Sequence, residues 1–172
     1  MIKLVGAFLA LCLALLTLHP VQGGSPAKVL SKKETGHLVA THLRWIEGRT
    51  PYSSYGKAPR IMFESKRQMG ERYARALGMA ETPESIHGLH EAGAIILPTD
   101  FDPVRDAYVL VHELVHFLQY INGATFACAA AIEAEAYALQ FEFIMENVSE
   151  EERDSINIMY VVLQKYRTCE SR

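Results

Sequence analysis

The sequence predicts an α+β domain that is mostly helical and contains a small antiparallel sheet. Two observations support this fold class. Apolar residues recur at helical spacing in several long segments, and three short runs have the alternation or composition of strands. The predicted order is helix, strand, helix, hairpin and three helices. The chain of 172 residues is long enough for one domain with a hydrophobic core.

The N-terminal segment is predicted to be a signal peptide (1–23), which leaves a single domain at 24–172. Lys3 precedes a long apolar run, and Val21 and Gly23 are small residues at the positions required for cleavage after Gly23. The apolar run is short for a membrane span, although a retained N-terminal anchor is the alternative. We therefore expect a secreted or periplasmic protein without stable membrane insertion after cleavage.

The first part of the domain is predicted to contain two helices, one strand and a hairpin. Residues 28–48 and 66–79 have helical spacing, and residues 60–65 alternate as a strand does. Two short strand-like runs, around 86–90 and 93–97, are joined by the turn-forming sequence HEAG. These two runs predict the antiparallel hairpin.

Three helices are predicted to follow, at about 103–121, 127–147 and 149–167. Asn122 and Gly123 are suited to end the first of them. Ser149, with Glu152 three residues later, forms a predicted capping box for the last.

Charge and cysteine content limit the partners and the redox environment. Loss of the signal peptide removes Lys3 and leaves 16 basic and 20 acidic residues, a net charge of −4. Such a chain lacks the basic stripe of nucleic-acid-binding proteins, so no nucleic-acid partner is expected. Cys12 leaves with the signal peptide. The remaining Cys128 and Cys169 are expected to form a disulfide, because the chain is predicted to be exported.

The segment HELVH (112–116) places two histidines and a glutamate inside a strongly apolar helix. Positions four apart lie on one helix face, about 5–6 Å apart, so His112 and His116 can hold one ion. Glu113 lies about 100° round the helix, where it can reach a water on that ion. The motif predicts a metal site. The alternative is a pair of core histidines beside a surface glutamate.

A zinc site of this kind requires a third protein ligand. Gln119 and Asn122 stand where a metzincin has glycine and histidine, so the sequence excludes that class. An acidic ligand from the following helix is the remaining option, and Glu133 and Glu135 are the candidates.

The two glutamates differ by about 200° on a helix, so only one of them should reach the ion. Glu133 shares its face with Tyr137, whereas Glu135 shares its face with exposed acidic positions and is expected to be solvated surface. We predict Glu133 as the third ligand. The alternative is that both are surface carboxylates and that Glu142 or a water completes the site.

The sequence resembles the zincin metallopeptidases, in particular the gluzincin type. The matching residues are HELVH (112–116) and EAEAY (133–137), with Tyr137 where the family usually has Asp or Glu. The resemblance covers about residues 88–140. The chain is most similar to small secreted proteins that carry HExxHxxQ.

This resemblance implies a compact zincin-like domain with one zinc ion, and it implies that GAIILP (93–98) is the edge strand along which substrate lies. An acid at the position of Tyr137 would orient a histidine ligand, so Tyr137 is expected behind a ligand or beside the substrate. His90, in the predicted hairpin, has the weaker signal, and its functional interpretation is an electrophile near the cleft. Its alternative is an ordinary turn histidine.

Together these features predict an exported zinc metallopeptidase that hydrolyses peptide bonds with a metal-activated water and Glu113 as general base. Its partner would be a peptide or protein substrate. Two alternatives stay open. One is a non-catalytic zinc-binding or partner-binding domain that keeps the zincin ligands. The other is an exported structural domain without metal.

Overall fold

The computed structural model describes residues 31–83, 86–154, 156–165 and 168–169. These residues form an α+β domain that is mostly helical, as predicted. The predicted signal peptide lies outside the described residues. In chain order the elements are α1 (Lys32–Glu47), β1 (Arg60–Glu64), α2 (Lys66–Leu77), β2 (Leu89–Glu91), β3 (Ala94–Pro98), α3 (Ala107–Ile121), α4 (Ala129–Asn147), α5 (Glu150–Arg153) and α6 (Ile158–Lys165).

Capping boxes begin three of the helices. Ser31, Ser65 and Ser149 each accept a hydrogen bond from the backbone N–H three residues later, and the Glu or Gln side chain at that position bonds back. The box predicted at Ser149 is therefore present. Helix α2 ends at Gly78, whose φ of 64° is the left-handed conformation that glycine adopts without strain.

The sheet is mixed, which corrects the expectation of a wholly antiparallel sheet. β2 and β3 form the predicted antiparallel hairpin, and the turn residues Ala92 and Gly93 have positive φ values of 45° and 81°. β1 instead pairs with β3 in parallel, from Arg60 opposite Ala94 to Glu64 opposite Pro98. The physical reason is the connection: α2 follows β1 and provides the crossover that parallel strands require.

The strand GAIILP is central and not an edge strand, which corrects what the family resemblance implied. The strand order is β1–β3–β2, so β3 has a partner on each side. All five residues of β3 are buried, as a strand with neighbours on both edges and both faces requires. The outer strand on the hairpin side is β2.

Two helix boundaries also differ from expectation. α3 begins at Ala107 and not near 103, because the Asp102 carboxylate accepts hydrogen bonds from the backbone of Val104 and Arg105 and holds a turn there. The last predicted helix is divided into α5 and α6. The intervening residues include Asp154 and Asn157, residue types whose side chains compete with helical backbone hydrogen bonds.

The core surrounds α3, which packs against α1, α4 and the sheet. Five of its apolar side chains are at most 1% exposed: Leu110, Val111, Leu114, Val115 and Leu118. The few polar residues of α3 are therefore set in a helix that is mostly buried. Among the described helices, none combines the length and the apolar character that crossing a membrane would need.

A disulfide joins Cys128 to Cys169, the pairing expected from the sequence, with Cα atoms 5.8 Å apart. Cys128 is the N-cap residue of α4, so the bridge ties the start of this helix to the C-terminal part of the chain.

Candidate metal centre

Helix α3 presents both histidines of the HELVH segment towards α4. His112 and Glu113 are 8% and 5% exposed, and His116 is half-buried. Polar groups buried at this depth require partners, since leaving them unpaired is unfavourable. The partner that the two histidines share, Glu133, comes from α4.

Three side chains converge between α3 and α4. The Nε2 atoms of His112 and His116 are 3.1 Å apart. The Glu133 carboxylate spans both rings, with Oε2 3.4 Å from His112 Nε2 and Oε1 3.5 Å from His116 Nε2. Donor atoms of all three residues lie within 4.8 Å of one another. We call these three residues the His–His–Glu cluster.

The cluster has the donor chemistry and the size of a zinc site. Zinc binds imidazole nitrogen and carboxylate oxygen at about 2.0–2.2 Å in tetrahedral geometry, which separates the ligand atoms by about 3.3–3.6 Å. The nitrogen–oxygen distances of 3.4 and 3.5 Å lie in this range, and the nitrogen–nitrogen distance of 3.1 Å is slightly shorter. The Glu133 side chain is 39% exposed, so the cluster opens towards solvent on this side.

The charges within and beside the cluster shift the pKa values of His116 and Glu133. Burial opposes the charge on His116, but its hydrogen bond to Glu133 and the negative charges of Glu113 and Glu133 raise its pKa to about 9. Burial likewise opposes ionisation of Glu133, and its hydrogen bonds to His112 and His116 reverse this and hold its pKa well below the usual range. The carboxylate is therefore ionised and available as a ligand.

Glu113 lies beneath the backbone that leads into β2. A Cβ atom added at Gly88 would lie 2.6 Å from Glu113 Oε1 and 2.8 Å from Glu113 Cγ, so the glycine allows a close approach. Burial raises the pKa of Glu113, and the charge of Glu133 adds to this, while the two histidines oppose it. A carboxylate with a raised pKa is better suited to accept a proton near neutral pH.

The two histidines are supported in different ways. His116 Nδ1 lies 2.8 Å from Gln119 Oε1. His112 Nδ1 is buried and has no hydrogen-bond partner among the residues that the structure describes. The Tyr137 ring packs against the His112 ring instead, with centroids 4.5 Å apart. Tyr137 thus lies behind one histidine and contacts it through its ring.

Glu135 is not the solvated surface residue that helix periodicity predicted. Its Oε2 accepts hydrogen bonds from Gln119 Nε2 and from the Tyr52 hydroxyl, both at 2.8 Å. The residue is half-buried. The periodicity argument considered the neighbours of Glu135 on α4 alone, and these two partners come from α3 and from the loop after α1.

The other acidic side chains of α4 lie away from the His–His–Glu cluster. Glu146 pairs with Arg49 at 2.8 Å and accepts a hydrogen bond from Trp45 Nε1. Glu142 lies 3.8 Å from the same arginine and is half exposed. Glu142 therefore does not join the cluster, and Glu133 does.

His90 lies on β2 beside the C-terminal half of α3. Its ring packs against those of Phe117 and Tyr120, with centroids 6.4 and 5.5 Å apart. Burial and the charge of His116 lower the pKa of His90 to about 4, so its imidazole is neutral near neutral pH. His90 Nε2 is buried without a hydrogen-bond partner in the described part of the chain.

A family described as "Domain of unknown function (DUF6647)" matches residues 31–172. The chain belongs to the DUF6647 family. Searches of curated proteins and of solved structures found no match. The DUF6647 region includes the whole His–His–Glu cluster and both cysteines of the disulfide.

Three contacts of this DUF6647 domain had not been assigned from the sequence: those of Gly88, Gln119 and Tyr52. Gln119 had a detectable signal, because it is a polar residue three positions after His116 on an apolar helix. Gly88 and Tyr52 had none, since their contacts join segments that are far apart in the chain.

Proposed function

We propose that this protein is an exported zinc metallopeptidase. The observation that carries the proposal is the His–His–Glu cluster, whose two imidazole nitrogens and one carboxylate have zinc-like separations next to a buried glutamate. In the proposal His112, His116 and Glu133 hold one zinc ion, and Glu113 is the general base. These residues on α3 and α4 are the ligands that the zincin resemblance implied.

The reaction is hydrolysis of a peptide bond. When bound, zinc supplies a water of lowered pKa and polarisation of the scissile carbonyl. Glu113 accepts a proton from the attacking water and delivers it to the departing amine nitrogen. One water is consumed, the C–N bond breaks, and a carboxylate and an amine form. The raised pKa of Glu113 suits both proton transfers.

An extended peptide or protein segment is the proposed substrate. Since β3 has strands on both sides, such a segment can add to the sheet only at the outer edge of β1 or of β2, and we propose the edge of β2. The backbone just before β2 already contacts Glu113 through Gly88. A segment added at β2 would therefore run beside the general base.

Export is proposed from the N-terminal sequence, whose basic residue, apolar run and small residues at positions 21 and 23 have the pattern of a signal peptide. The disulfide is in keeping with an oxidising compartment.

The test combines metal analysis with a matched pair of variants. Protein purified without a histidine tag should contain one zinc per chain, and Glu113→Gln should keep the zinc while peptide hydrolysis falls by about 10²–10⁴-fold. Glu151→Gln, at an exposed position on α5, is the control and should keep full activity. Absence of zinc would overturn the metal site, and full activity in Glu113→Gln would overturn the role of the base.

A non-catalytic zinc-binding domain is the second candidate, and the cover over Glu113 favours it. Glu113 is only 5% exposed, with the Gly88 backbone against its carboxylate, so a substrate has little access in this conformation. Stoichiometric zinc without hydrolysis of a varied peptide library by the wild type would support this candidate over the peptidase.

A further inference from the structure

Tyr52, Glu135 and Gln119 form a hydrogen-bond chain that ends on His116. The Tyr52 hydroxyl donates to Glu135 Oε2, Gln119 Nε2 donates to the same oxygen, and Gln119 Oε1 lies 2.8 Å from His116 Nδ1. The chain links the loop after α1 to α4 and then to α3. Gln119 is 5% exposed, so its bonds are shielded from water.

The partners of Gln119 determine which way its amide points. Its Nε2 lies 2.8 Å from the Glu135 carboxylate and 3.2 Å from the Ile132 carbonyl oxygen. Both partners offer oxygen atoms that accept hydrogen bonds, so the amide must turn its NH₂ group towards them. Its oxygen then faces His116 Nδ1 and must accept a proton from that nitrogen.

The same logic defines the metal-facing atom of His116. If Nδ1 carries the proton, Nε2 supplies the lone pair that a metal requires, and Nε2 is the atom that faces His112 and Glu133. Tyr52 stabilises the other end of the chain. Burial and its hydrogen bond to Glu135 raise the pKa of Tyr52 to about 12, which keeps its hydroxyl protonated and donating.

We propose that Tyr52, Glu135 and Gln119 are positioning residues that fix the ring orientation and the metal-binding nitrogen of His116. The inference rests on the proposed zinc site. It assigns to Glu135 the support of the proposed ligand His116, whereas Glu133, on the other side of α4, is itself a proposed ligand. Among the described residues, His112 Nδ1 has no such partner, so of the two rings only that of His116 is oriented by a hydrogen bond at Nδ1.

The test is zinc affinity, measured by chelator competition on the full mature protein, beside thermal unfolding of each variant. Gln119→Ala should weaken zinc binding by about 10–100-fold. Gln140→Ala is the control for loss of a buried glutamine, since Gln140 is 6% exposed on α4 and is absent from this hydrogen-bond chain. Tyr52→Phe should weaken binding by about 2–10-fold, and Tyr55→Phe, at a 69% exposed site, should not.

A charge swap distinguishes positioning from simple helix packing. Gln119→Glu alone places two carboxylates together and should weaken zinc binding. Adding Glu135→Gln supplies an amide NH₂ group that donates to the new carboxylate at position 119 and an amide oxygen that accepts from the Tyr52 hydroxyl. The double variant should therefore recover most of the zinc affinity. A double variant as weak as Gln119→Glu, or a Gln119→Ala affinity equal to that of Gln140→Ala, would overturn the proposal.

Failure of this inference is distinguishable from failure of the peptidase. If zinc affinity follows the expected order and no variant hydrolyses peptides, the positioning role stands and the peptidase fails. If the wild type hydrolyses peptides with zinc affinity independent of Gln119, the peptidase stands and the positioning role fails. A wild type that binds no zinc overturns both.

Discussion

At the scale of single residues, the tightest contact beside the cluster is the one between Gly88 and Glu113. The space that a Cβ would need is filled by the outer half of the glutamate side chain. In Gly88→Ala the added methyl group must therefore displace the Glu113 carboxylate, because residue 88 belongs to the backbone that leads directly into β2.

Gly88→Ala should lower peptide hydrolysis by about 10–100-fold, since a displacement of about 1 Å is enough to reduce catalysis to that degree. Zinc content should stay at the wild-type value, because the three atoms nearest to the added Cβ all belong to Glu113, which is not one of the proposed ligands. Steady-state kinetics and metal analysis measure the two effects. Gly36→Ala, where nothing lies within 4 Å of the added Cβ, is the control and should behave as wild type. Unchanged hydrolysis in Gly88→Ala would contradict the prediction.

Glu133 and Glu135 should differ in how much each contributes to zinc affinity. Glu133→Ala removes a proposed ligand, so its loss of zinc affinity should exceed the about 10–100-fold loss that removal of a supporting partner causes. The loss of zinc affinity in Glu135→Ala should lie within that range, since this variant only removes the carboxylate that accepts a hydrogen bond from Gln119. Chelator competition on both variants side by side measures the difference. A larger loss in Glu135→Ala would reverse the assignment.

At the scale of elements, α1 and α4 meet through an uncharged histidine. His42 on α1 is 8% exposed, packs edge-on against Phe143 at 5.2 Å, and has no hydrogen-bond partner for Nε2 among the described residues. Burial lowers the pKa of His42 to about 4. His42 therefore stays neutral in the folded protein down to about pH 4, whereas in the unfolded chain it accepts a proton at about pH 6.5.

This difference predicts acid sensitivity. A group whose pKa is lowered by folding contributes full stability above its unfolded pKa, and that contribution is lost as the pH falls towards the folded value. The free energy of unfolding should therefore drop between about pH 7 and about pH 4, with His42 contributing on the order of 2–3 kcal/mol. In His42→Leu this part of the drop should disappear, and in His37→Leu, at an exposed site, it should remain. Urea unfolding at several pH values measures it, and equal pH profiles for wild type and His42→Leu would refute it.

The elements themselves were largely predictable, because helix spacing and caps are local properties. Ser149 with Glu152 and the Asn122–Gly123 pair marked helix ends that the structure has. Strand partnership was not predictable in the same way. Arg60 pairs with Ala94 across 34 positions of sequence, and the local pattern of a strand does not specify its partner. The predicted helix between β1 and β3 allowed a parallel crossover, but it did not require these two strands to pair.

At the scale of the whole molecule, the disulfide closes a loop across 41 positions, from the start of α4 to the C-terminal part of the chain. The double variant Cys128→Ser with Cys169→Ser should lose about 3–4 kcal/mol of unfolding free energy in the chain-entropy description. Reducing agent should destabilise the wild type by a similar amount and leave the double variant unchanged. Denaturant unfolding measures both effects. Two alkylatable thiols in natively exported protein would rule out the bridge.

The sequence by itself determined the α+β class, the shared face of His112 and His116, and the condition that Glu133 and Glu135 point in opposite directions. Each of these follows from short-range geometry, since a helix places residues four apart together and residues two apart on opposite sides. Only the tertiary structure decided what those faces meet. It placed Gly88 against Glu113, made β3 central, and joined Glu135 to Gln119 and Tyr52. These contacts depend on how distant segments pack, and packing responds to the shape and polarity of the whole core and not to local spacing.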